Sequence, residues 1–60
     1  MEEKILNELI EKEMPVRVIH TTGYQQNCVI LEHDSKALLI SVKGQSKLVY
    51  KHGVSTIELA

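Results

Sequence analysis

The residues able to do chemistry are few and fall in short runs. Tyr50-Lys51-His52 sets a phenol, an ammonium and an imidazole side by side. Such a run can donate hydrogen bonds to an anionic or carbonyl-rich partner, and it can equally be a solvated strand end. Gly23 precedes Tyr24 at a turn signal, which holds that ring at the surface with a flat stacking face, and Gln25, Gln26 and Asn27 follow it with three amides. Cys28 is the single cysteine, and His20, His33 and His52 are scattered, so neither a disulfide framework nor a closed zinc set is expected. Cys28 has no neighbouring base and reads as a buried, inert thiol. His20 and His33 read as surface strand or turn residues, and Asp34 as a turn former whose carboxylate accepts backbone hydrogen bonds. No carboxylate pair, nucleophile–base pair or glycine-rich phosphate loop is present, so an enzyme is not expected.

The elements that position these residues follow from periodicity. Ile5, Leu6, Leu9, Ile10 and Met14 recur on one helical face, with Glu8, Glu11, Lys12 and Glu13 opposite, which predicts a helix over 1–14 ended by Pro15. Beyond Pro15 the period becomes two and β-branched residues dominate. Strands are expected at 16–21, 24–33, 36–42, 47–52 and 54–59, separated by turn signals at Thr22-Gly23, His33-Asp34-Ser35, Lys43-Gly44 and Gly53. The third of these is largely apolar and is expected to be buried on both faces. One helix and five short antiparallel strands build a small, bent, partly open barrel.

The chain has 60 residues, 43% apolar and 25% charged, with a net charge of −1. That is one domain with a marginal aliphatic core, of a size that oligomerisation commonly reinforces. The last two strands carry no proline to blunt an edge, and pairing them head to tail between copies would close a ring. A generally basic nucleic-acid coat is excluded by the charge, though a local cationic site is not. No membrane span or signal peptide is expected, and a free thiol fits a reducing, cytoplasmic compartment.

The segment Tyr50-Lys51-His52-Gly53-Val54-Ser55-Thr56, with Ile5-Leu6-Asn7, Pro15-Val16, Thr22-Gly23-Tyr24-Gln25 and Asp34 in order before it, resembles the bacterial Sm-like RNA chaperones of the Hfq family over nearly the whole chain. The resemblance implies a mainly β protein: an N-terminal α-helix, then a bent five-stranded antiparallel Sm-like (SH3-like) barrel, assembling into a homo-hexameric ring. It further implies single-stranded RNA partners, namely small regulatory RNAs and mRNAs, no cofactor and no catalysis. U-rich RNA would be taken at a proximal pore by Lys51 and His52, with Asn7 and Lys36. A-rich RNA would be taken on a distal face by Gly23, Tyr24, Gln26 and Asn27. Tyr50 would be structural, at the subunit contact.

Several positions depart from the family pattern. The rim, commonly arginine-rich, holds Ile10, Glu11 and Glu13 around Lys12. Lys36 stands in place of an aromatic, Ile19 in place of a distal aromatic, Asn27 in place of a longer Gln, and Cys28 in place of a Gly. The turn between the third and fourth strands is one residue longer. These departures sustain an alternative reading, an Sm-like oligomeric scaffold or protein-interaction module in which RNA binding is weak or lost.

Overall fold

The computed structural model describes residues 2–59. A helix α1 (Glu2–Glu11) is followed by strands β1 (Pro15–His20), β2 (Gln25–His33), β3 (Ala37–Val42), β4 (Gln45–Tyr50) and β5 (Val54–Leu59). The start of the expected helix, Met1, lies outside the described residues. The five strands form one antiparallel sheet in the order β4-β3-β2-β1-β5, so β4 and β5 are its two unpaired edges.

The helix stops short of the expected residue 14. Glu13 adopts φ 50, its amide bonds to the Ile10 carbonyl at 3.1 Å, and the Met14 amide bonds to the Leu9 carbonyl at 3.1 Å. This paired closure is the Schellman pattern, here with a glutamate where glycine is usual. Met14 thereby lies outside the helix before Pro15, whose ring disfavours a helical residue ahead of it.

Period-two alternation drives the sheet. Val16 and Val18 of β1, Cys28 and Ile30 of β2, and Leu38 and Ile40 of β3 all point inward and are buried, and Leu6 and Leu9 of α1 close the core over them. The helix lies against β2. Ile30 faces Ile40 across the β2–β3 ladder, and register shifts at Ile30/Glu32 and at Ile19/His20 bend the sheet around this core. Ile5 departs from the expected stripe: it is 53% exposed and lies at the open groove beside β5.

The turn after β3 consists of Lys43 and Gly44 alone, with Val42 paired to Gln45. Both turn residues have positive φ, 51 and 82, as a two-residue hairpin with the right twist requires. The tight turn starts β4 at Gln45 and ends it at Tyr50, earlier than the expected 47–52. Lys51, His52 and Gly53 instead form a single 3-10 turn.

Burial makes a direct prediction. Ile40→Ala should cost about 2–5 kcal/mol, while Ile5→Ala should cost well under that. Urea denaturation of the two variants gives the comparison, and equal losses would mean that Ile5 is buried.

Candidate nucleic-acid interface

Two groups of polar residues lie at opposite ends of β2. Gln26 and Asn27 sit near its start and His33 at its end; at about 3.3 Å per residue the ends are roughly 25 Å apart.

The first group gathers around Lys51. The 3-10 turn holds the Lys51 amide against the Lys36 carbonyl at 2.7 Å, so the end of β4 is tied to the loop before β3. The Lys51 ammonium lies 3.4 Å from Nδ1 of His33, and Nε2 of His33 lies 2.8 Å from Oδ1 of Asn7 on α1. An ammonium can only donate, so Nδ1 is the acceptor and Nε2–H donates to Asn7. With Nε2–H donating to it, Oδ1 of Asn7 is engaged, and the Asn7 N–H groups have no partner among the described residues. Asp34 underlies the loop. Its Oδ1 accepts from the amides of Lys36 at 2.7 Å and Ala37 at 2.8 Å, the turn role expected for it. These two bonds, with smaller help from the charges of Lys51 and His33, hold its carboxyl below the ordinary carboxylate value.

The structure thus brings Lys51, Lys36 and Asn7 into one region. It adds His33, for which the sequence suggests only a surface turn. The link between Asn7 and His33 spans 26 positions, and no local spacing signals it; only the register of β2 places that ring over the helix. His52 leaves the cluster. Successive residues of a 3-10 turn point about 120° apart, and the His52 ring stacks instead near Tyr50, with centroids 6.0 Å apart and planes 25° apart. Tyr50 itself is 57% exposed.

The second group is built on the β1–β2 turn. Gly23, at φ 93, lets its amide reach the His20 carbonyl at 2.8 Å while the His20 amide bonds to the Tyr24 carbonyl at 2.8 Å. Tyr24 is left 62% exposed, with the His20 ring 5.6 Å away and tilted by 36°. Nε2 of His20 lies 2.9 Å from Oε1 of Gln26, which engages the Gln26 carbonyl and leaves its amide N–H groups as the free end. Tyr24, Gln26 and Asn27 share an open recess of about 370 Å³, and Gly23 shapes the turn beside it without lining it. Cys28 is buried beneath, where loss of solvation pushes its thiol above the ordinary value.

An N-terminal helix laid over a bent five-stranded antiparallel sheet, with its fourth and fifth strands as edges, is the Sm-like class of fold. The Hfq protein family profile matches residues 1–60, and the chain belongs to that family. RNA-binding protein Hfq of Thermosipho africanus is 35% identical over 57 residues, covering 95% of this chain and 68% of the relative. That of Natranaerobius thermophilus is 32% identical over the same shares. A crystal structure of the pleiotropic translational regulator Hfq superposes with a TM-score of 0.94 at 29% identity, covering 97% of each chain. An Hfq protein from Anabaena sp. has the same fold, with a TM-score of 0.90 at 19% identity over 98% of this chain and 95% of that one.

The Asp34 turn yields a pH prediction. Its folded value is depressed below 3.8, so its contribution to stability is complete above that pH and is lost as pH falls through the folded value. The stability gap between the parent chain and Asp34→Ala should therefore be constant near neutrality and shrink in acid below the ordinary carboxylate range. Thermal melts across that range check this; a gap that widens in acid would overturn it.

Proposed function

We propose that the chain is a non-enzymatic RNA-binding subunit that acts in the cytoplasm as a homo-hexameric ring, with the RNA-chaperone role of its family in regulation by small RNAs. The observation that carries this reading is the Lys51–His33–Asn7 cluster. It offers hydrogen-bond donors from Lys51 and Asn7, and a single-stranded RNA offers matching acceptors in its phosphates and uracil carbonyls. Among the described residues the only ion pair is Arg17–Glu58, so neither Lys36 nor Lys51 is held in an ion pair, although Asp34 lies close enough to feel the Lys51 charge. In a ring, copies of Lys51 around one axis would focus a cationic potential despite the net charge of −1 per chain. Lys51, Asn7 and Lys36 then take U-rich RNA at the proximal pore, with His52 joining from the adjacent face of its turn. Tyr24, Gln26 and Asn27, on the turn shaped by Gly23, take A-rich RNA on the distal face, the exposed ring stacking on a base.

Support for assembly comes from the edges. The unpaired β4 exposes Leu48 (60%) and Tyr50. An apolar groove of about 800 Å³, lined by Ile5, Leu9, Ile57 and Leu59 among others, opens beside the unpaired β5. Pairing β4 of one copy with β5 of the next would satisfy both backbones and cover this surface.

Three measurements test the proposal. Native mass spectrometry should find six copies of the 6.8 kDa chain; monomer or dimer alone would remove the ring. Lys51→Ala should weaken U-rich RNA by about tenfold or more, the scale of one charge-assisted hydrogen bond, with A-rich binding largely kept. Tyr24→Ala should weaken A-rich RNA by about 1–3 kcal/mol for each base stack removed and spare U-rich RNA. A ring that binds neither oligonucleotide would leave the scaffold reading in its place.

A further inference from the structure

The recess beside Tyr24 is completed by residues from the neighbouring β3–β4 hairpin. The β3–β4 hairpin brings Val42, Lys43, Gln45 and Lys47 to face the start of β2. This follows from register: Val29 pairs with Ser41, so β2 runs on past the end of β3 and its first residues lie alongside the turn. Among the described residues no carboxylate lines the recess. Lys43 and Lys47 are exposed and have no ion-pair partner among the described residues. Lys43 also occupies a left-handed turn position, φ 51, where Asn, Asp or Gly is favoured. A cation is therefore displayed at a position whose local backbone preference argues for another residue.

We propose that Lys43 and Lys47 are the phosphate-binding arm of this recess. They grip the backbone of a single-stranded RNA whose base lies on Tyr24 and whose base edges meet Gln26 and Asn27. The volume of about 370 Å³ suits one nucleotide. The division of labour is chemical: the amides offer both donors and acceptors and can read a base edge, while ammonium groups only donate and are matched to phosphate oxygens. Strand pairing through the backbone of β4 leaves its side chains on the faces of the sheet, so Lys47 stays available in a ring. The inference rests on the distal-face reading given above and adds the residues that hold the strand there.

The test is the salt dependence of A-rich RNA binding by the assembled ring. The variant Lys43→Asn/Lys47→Gln removes both charges; Asn accepts the left-handed turn position and Gln keeps much of the Lys47 stem. Its affinity for an A-rich oligonucleotide should fall about tenfold at low salt. The slope of log K against log salt should shrink by about 0.7 for each phosphate no longer neutralised. U-rich binding should be unchanged, and Lys43→Arg/Lys47→Arg should keep the parental slope. A loss of affinity with no change in slope would overturn the phosphate role, as would parental binding by the double variant while Tyr24→Ala still weakens A-rich RNA. If Tyr24→Ala and the lysine variant both bind as the parent does, the distal-face reading itself is overturned.

Discussion

Ile30 and Ile40 face one another across β2 and β3, both fully buried, and this dry pair sets the register on which the rest depends. A strand slip of one residue would turn every side chain of β2 to the opposite face and expose the core. The same slip would swing His33 away from Asn7 and move Gln26 and Asn27 away from the β3–β4 hairpin. Burial of a few aliphatic side chains therefore positions polar groups at both ends of one strand.

The bend in that strand serves both ends. The register shift after Ile30 leaves Leu31 as an extra residue and curls the sheet over the helix. Without the curl, the end of β2 would pass α1 instead of presenting His33 to it. Asp34 then reverses the chain through two backbone hydrogen bonds, and the Lys36 carbonyl anchors Lys51. The cluster is thus braced from the helix, the β2–β3 loop and the 3-10 turn together.

The fold leaves two edges that a chain of this size cannot cover by itself. β4 and β5 are both six residues long and lie at opposite ends of the strand order. Their exposed apolar side chains and unpaired backbone groups are complementary in kind, which makes a repeating interface between copies physically coherent with family membership. The single ion pair among the described residues, Arg17–Glu58, joins β1 to β5 at 3.2 Å and is half exposed on both sides. A pair of that kind contributes little to stability, so the structure rests on its aliphatic core.

How much was legible beforehand depends on the range of the interaction. Pro15, the switch from helical to alternating periodicity and the turn signals are local, and they sufficed for one helix, five strands and the two edges. The Tyr50-Lys51-His52 run and Gly23-Tyr24 stood out in the same way. Element ends were less legible: Glu13 closes the helix from a left-handed position, and the tight Lys43-Gly44 turn shifts β4 forward and turns Lys51-His52 out of the strand. Ile5 matched the helical stripe, yet it borders the open groove beside the unpaired β5 and stays exposed. The bond from His33 to Asn7 and the meeting of Lys43 and Lys47 with Tyr24 were decided by tertiary structure alone. Each joins residues brought together by strand register, bulges or backbone turns, and their spacing along the chain carries no trace of that proximity.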